Sequence, residues 1–140
     1  MLIRGFQPTT RGNDRNIYGG NMKNKILVID DEIGPRESLR ILFKDNYDVL
    51  VANNGEEGIQ TIKKNPPDLT ILDLKMPGMD GIEVLQKIKA IDPKAKVIIL
   101  TGYGSPEVAQ QAQRLGVTLY LNKPFDIFEI RQLVAEKING

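Results

Sequence analysis

Five short apolar runs, each cut off by a polar residue and each followed by a stretch with helical spacing, leave this chain few ways to fold. The first is Lys25-Ile26-Leu27-Val28-Ile29, which ends in Asp30-Asp31-Glu32. Tyr47–Ala52, Asp68–Leu72, Lys96–Leu100 and Val117–Leu121 follow it. Short apolar runs rich in β-branched residues and bounded by turn signals read as buried strands. Between them the period lengthens. Pro35 stands at a first helical position with Glu37 in the first turn, and Leu39, Leu42 and Phe43 make the inward stripe. Asn53-Asn54-Gly55 turns into a helix over Glu56–Lys64 with Ile59 and Ile62 inward, which Asn65-Pro66-Pro67 stops. Behind an Asp80 cap, Gly81–Ile91 puts Ile82, Leu85 and Ile88 on one face. Ser105-Pro106-Glu107 opens a helix carrying Val108, Ala109, Ala112 and Leu115, and Gly116 is its C′ glycine. The last helix runs from about Asp126 to Ile138, with Ile130, Leu133, Val134 and Ile138 inward.

Unbroken alternation of strand and helix predicts an α/β fold: a parallel sheet with helices on both faces. Right-handed crossovers bring every strand's carboxyl end to one edge, where a doubly wound sheet carries its site. The chain of 140 residues is long enough for one domain with a real core. Residues 1–21 stand apart, with four glycines and no sustained period, and without the charged start and apolar core of a secretory signal. We read them as a flexible leader or cloning-derived extension, and 22–140 as the domain.

Composition removes whole classes of chemistry. There is no cysteine and no histidine, which excludes disulfides, thiolate or imidazole metal sites, and Ser-His or Cys-His catalysis. A net charge of +1 gives no bulk case for nucleic acid or a membrane surface. No apolar run approaches the roughly 18 residues of a membrane span. A reducing, cytoplasmic setting fits all of this.

What remains is the predicted sheet edge. The first strand delivers Asp30 and Asp31, the third Asp73, the fourth Thr101, and the fifth Lys123 two residues past its end. Three crowded carboxylates repel one another and need a cation. A hard divalent ion with oxygen ligands, most simply Mg2+, suits them. Lys123 adds the compact charge that clamps a phosphoryl group, and Thr101 adds a hydroxyl donor. One carboxylate is then free to act as a nucleophile and become an aspartyl phosphate.

Four motifs carry a family resemblance. They are Val28-Ile29-Asp30-Asp31-Glu32, the run Leu72-Asp73-Leu74-Lys75-Met76-Pro77-Gly78-Met79-Asp80-Gly81, Leu100-Thr101-Gly102, and Asn122-Lys123-Pro124-Phe125. In this order, each at a strand end, they make residues 24–138 resemble the receiver domain of two-component response regulators. The stretch 102–125 looks most like receivers of the nitrogen-regulatory transcription-factor group. The resemblance implies a doubly wound (βα)5, flavodoxin-like fold with strand order 2-1-3-4-5. It implies that Asp73 accepts a phosphoryl group from a phosphohistidine on a partner histidine kinase or phosphotransfer protein. Asp31 and Asp73 would bind Mg2+ through their side chains and Lys75 through its backbone carbonyl, with Asp30 acting mainly through a metal-bound water. Lys123 would pair with Asp73 and then with the phosphoryl oxygens. Thr101 would move to the phosphoryl group, and Tyr120 would be a switch aromatic that turns inward. The peptide before Pro124 would be cis.

The same resemblance implies a module that phosphorylates itself stoichiometrically and loses the group slowly, rather than an enzyme with turnover. Its output would be a shift of the fourth helix, fifth strand and fifth helix, read by a downstream protein or an output domain. Helical phase offers Gln110, Gln111, Gln113 and Arg114 as exposed candidates there. Direct nucleic-acid binding and membrane association are not expected, and the domain would be a monomer or a phosphorylation-promoted dimer. The pattern ends just after the fifth helix, as in a stand-alone receiver or a piece of a longer regulator. Lys75 and Tyr103, two residues beyond Asp73 and Thr101, would flank the phosphoryl group and affect its hydrolysis.

Plainer roles compete at single positions: Glu32 as a helix-start acid, Tyr120 as a half-buried strand tyrosine, Asp80 as a cap. At the level of function two alternatives compete. A metal-dependent phosphohydrolase would resemble Asp-x-Asp at one strand end with a cap insertion, whereas Asp30 and Asp31 are adjacent and Asp73 comes from another strand. A scaffold that is never phosphorylated would not need the complete acid, Thr and Lys set.

Overall fold

The computed structural model describes residues 23–140, so the reading of residues 1–21 lies outside the described residues. Strand and helix alternate throughout: β1 (Lys25–Ile29), α1 (Ile33–Phe43), β2 (Asp48–Ala52), α2 (Gly55–Lys64), β3 (Leu69–Leu72), α3 (Gly81–Ile91), β4 (Val97–Thr101), α4 (Pro106–Arg114), β5 (Leu119–Asn122) and α5 (Ile127–Asn139). The sheet is parallel, in the order β2-β1-β3-β4-β5. This is the doubly wound, flavodoxin-like arrangement expected from the alternation and the resemblance.

Side chains alternate across each strand, so the sheet divides the core in two. Ile26 and Val28 join Leu39, Phe43, Ile130 and Val134, which places α1 and α5 on one face. Leu27 and Ile29 join Ile59, Ile62, Leu85 and Ala112, which places α2, α3 and α4 on the other. Strands covered on both faces have no polar side, hence the continuous apolar runs.

Several boundaries differ from the sequence reading. Helix α1 begins at Ile33 and has no acid in its first turn, so Pro35 is its third residue and Glu37 lies beyond that turn. Proline is tolerated there because the first four N–H groups of a helix have no internal partner. Thr101 is the last residue of β4, not the residue after it. β5 begins two residues later than expected; Thr118 still pairs with Val97, its N–H donating to the Val97 carbonyl at 2.8 Å. Asp80 occupies the N-cap position of α3, yet its side chain makes no capping hydrogen bond. Asn54 and Ser105 do cap α2 and α4, accepting from Glu57 and Val108 N–H. Gly116 has φ +86°, the left-handed conformation expected of a C′ glycine.

One close approach fixes the loop after β3. The Gly81 N–H donates to the Leu74 carbonyl at 3.1 Å. A β-carbon on Gly81 would collide with the Leu74 backbone, which has no flexible end to yield. Gly81→Ala should therefore destabilise the domain by about 2 kcal/mol, a drop of roughly 8 °C in melting temperature. Thermal unfolding followed by circular dichroism measures it.

Candidate functional site

The sheet register brings the strand ends together. Ile29 lies opposite Leu72, and Thr101 opposite Asn122. Asp30 and Asp73 thus leave neighbouring strands side by side, with the Asp73 N–H donating to the Ile29 carbonyl at 3.0 Å. The Lys123 N–H donates to the Thr101 carbonyl at 2.9 Å, which holds the loop after β5 against the end of β4. The Lys123–Pro124 peptide is cis, as the resemblance implied.

Each of Asp30, Asp31 and Asp73 offers one carboxylate oxygen, and these oxygens lie within 4.8 Å of one another. Asp30 and Asp73 are buried and Asp31 is exposed, so the cluster has a closed floor and an open mouth. The mouth is a cleft whose walls include Glu32, Lys75, Pro77, Gly102 and Tyr103. Asp73 is held from three sides. The Thr101 hydroxyl donates to its Oδ1 at 2.7 Å, the Lys75 N–H to the same oxygen at 3.3 Å, and Lys123 Nζ to Oδ2 at 3.2 Å. Lys123 lies closer still to Asp30 Oδ2, at 2.9 Å, and reaches Glu32 at 3.8 Å.

The charges are unbalanced. The cluster of Asp30, Asp31 and Asp73 sets three carboxylates against the one ammonium of Lys123, a formal surplus of two negative charges, and Glu32 adds a further carboxylate at the rim. Burial pushes the Asp30 carboxyl above its ordinary value, against the Glu32 N–H and Lys123, which favour its charged form. Burial alone would lower Lys123, but Asp30 and then Asp73 outweigh it and hold the ammonium above its ordinary value. A divalent cation would balance the surplus, and an all-oxygen donor set suits Mg2+.

Thr101 and Tyr120, the two predicted movers, both have defined surroundings. The Thr101 hydroxyl bonds Asp73 directly. Tyr120 already packs its ring against the core, and burial raises its phenol. Its hydroxyl is buried with no hydrogen-bond partner among the described residues. Gly104 makes the room: a β-carbon there would overlap the Tyr120 hydroxyl. Gln110, Gln111, Gln113 and Arg114 are exposed, as helical phase predicted. At the mouth, Lys75 Nζ lies 5.7 Å from the Tyr103 ring centroid, a cation–π contact. Sequence reasoning missed Gly104 and also Arg36, whose guanidinium donates to the Asp30 backbone carbonyl at 2.9 Å.

The family model of the response regulator receiver domain matches residues 26–135. The chain belongs to the receiver family. Among curated relatives, this receiver is 45% identical over 116 residues to sporulation initiation phosphotransferase F of Bacillus subtilis, covering 82% of this chain and 94% of that protein. It is 39% identical over 113 residues to the transcriptional regulatory protein ZraR of Escherichia coli, covering 80% of this chain but spanning only 25% of that protein. Among solved structures it superimposes on a CheY-like receiver domain protein from Methanospirillum hungatei with TM-score 0.81 at 29% identity, over 84% of this chain and 94% of that one. Receivers are phosphorylation-switched signalling modules that bind Mg2+ at an acidic pocket, and this chain has a cluster of three aspartates. Among the described residues no helix is long and apolar enough to cross a membrane.

Proposed function

We propose that Asp73 is the phosphoacceptor of this receiver and that its partner is a phosphohistidine-bearing kinase or phosphotransfer protein. The observation that carries this is the Asp73 carboxylate held between the Thr101 hydroxyl and Lys123, beside two further carboxylates. An Asp73 oxygen attacks phosphorus, the P–N bond to the donor imidazole breaks, and a P–O bond forms. Thr101 and Lys123 then donate to oxygens of the new group, whose charge they are placed to meet. Asp31, Asp73 and the Lys75 backbone carbonyl would hold Mg2+, with Asp30 next to them. When bound, the ion neutralises carboxylate and phosphoryl charge, which bare acids would otherwise repel. The phosphorylated state is read on the α4, β5 and α5 surface by an effector or an output domain, in a cytoplasmic setting. Residues 22–140 form the signalling domain, and 1–21 are a leader or cloning-derived extension.

Incubation with Mg2+ and a small acyl phosphate tests the reading by intact mass. One phosphoryl group per chain, absent when Mg2+ is chelated, is the expected result. Continuous release of phosphate over many turnovers would favour a hydrolase, and no mass gain a scaffold. A second expectation concerns lifetime. The Tyr103 ring and Lys75 flank the mouth, where the ring would shield a phosphoryl group from water. Tyr103→Ala should shorten the half-life of the aspartyl phosphate several-fold, followed by loss of the mass increment after donor removal. An unchanged half-life would remove Tyr103 from the mechanism.

A further inference from the structure

Arg36 stands where local rules disfavour it. It is the fourth residue of α1, near the helix end that repels cations, and α1 has no first-turn acid to offset it. Its Nε is buried and makes no hydrogen bond among the described residues. A residue that breaks local preference and leaves a buried donor idle is held there by something else. The one hydrogen bond of its guanidinium among the described residues goes from Nη1 to the Asp30 backbone carbonyl, at 2.9 Å.

That contact completes the restraint of Asp30. Its N–H donates to the Ala52 carbonyl at 3.2 Å, its Oδ1 accepts from the Glu32 N–H at 2.9 Å, and its Oδ2 accepts from Lys123 at 2.9 Å. Arg36 takes the last polar group. The carbonyl it holds belongs to the Asp30–Asp31 peptide, which is planar, so fixing that oxygen also fixes the direction in which Asp31 leaves. Asp31 needs such help. It is exposed, and among the described residues its carboxylate has no hydrogen bond or ion pair of its own. Among the described residues only its backbone aims it at Asp30 and Asp73.

We propose that Arg36 is a positioning residue for the metal site: by gripping the Asp30–Asp31 peptide it aims the Asp31 carboxylate into the acidic cluster. The inference rests on the reading of that cluster as a Mg2+ site. Residues that orient metal ligands from behind typically cost 10–100-fold in affinity when lost. A purely structural arginine would lower stability without a selective loss of Mg2+.

The test is Mg2+ titration of the full chain by calorimetry, with melting temperatures taken in chelator alongside. Arg36→Met should weaken Mg2+ binding by about 10–100-fold. Arg36→Lys, which keeps a donor on a similar stem, should weaken it less. Unchanged affinity in a folded Arg36→Met overturns the proposal, and so does equal weakening in the two variants. Unfolding of both also overturns it, because Arg36 would then serve the whole fold. Absence of Mg2+ binding by the wild-type chain would overturn the underlying site reading as well. Equal binding by wild type and Arg36→Met overturns this inference alone.

Discussion

Asp73→Asn should abolish phosphoryl uptake from a small acyl phosphate, with a loss of about 10^3-fold or more in labelling rate, the scale expected when a nucleophile is removed. Asparagine keeps the size and one acceptor oxygen of Asp73, so the Thr101 contact at 2.7 Å has a partner and the fold is retained. It lacks the charged oxygen that attacks phosphorus. Asp30 and Asp31 remain in the pocket, which makes the substitution a sharp test of assignment. Asp30 is spoken for by the Glu32 N–H and Lys123, while Asp31 is exposed at the mouth. Intact mass and peptide mapping after borohydride reduction decide the matter. Undiminished labelling of Asp73→Asn, on either remaining acid, would end the assignment.

The second large effect is on stability. Lys123 has 15% of its side chain exposed and faces Asp30 and Asp73 at 4% and 6%. Removing one partner from a buried charge cluster costs about 3–5 kcal/mol, because the other charges remain. Lys123→Met should therefore destabilise the chelated protein by about 3 kcal/mol. Mg2+ should restore part of that, since a bound cation favours the folded form. Adding Asp30→Asn should recover more than about 1 kcal/mol, the coupling expected between contacting groups. Denaturant unfolding with and without Mg2+ gives all three values.

The pH dependence has a definite sign. Asp30 and Asp73, against the effect of burial, hold Lys123 above its ordinary value. A raised folded pKa stabilises fully below the unfolded value, about 10.4 for lysine. That contribution fades as pH climbs through the folded value. The gap between wild type and Lys123→Met should thus hold at neutral pH and narrow in strong alkali. It should narrow in acid too, and sooner than ordinary aspartates would dictate, because burial raises Asp30. Equal gaps at neutral and strongly alkaline pH would show that the ion pair is not what stabilises.

The sheet and its polar edge were legible because one rule generates both. A strand covered on two faces must be apolar until it leaves the sheet, so the first polar residue marks the edge. Asp30 and Asp73 were found that way, and Lys123 one residue beyond Asn122, the first polar residue after the fifth run. Thr101 was found too, but its place inside β4 was hidden, since a threonine is at home in a strand as well as after one. The start of α1 was misjudged because Pro35 is a strong signal that is satisfied anywhere in the first turn. Asp30 and Asp31 are indistinguishable as letters, yet one is the floor of the pocket and the other its lip. Their division depends on strand pleat and on the path of the following loop. Arg36 carried a faint signal, a cation near the wrong end of a helix. Gly104 carried none, because its meaning lies in a phenol sixteen residues away.

That phenol has a consequence for motion. Keeping an orphan hydroxyl inside forgoes about 1–3 kcal/mol, while the sheltered ring regains an amount of the same order. Those two opposed quantities are what would set Tyr120 between an inward and an outward position if it acts as a switch. Were the two near level, an influence of about 1 kcal/mol at either end would tip most of the population, as on a balance beam.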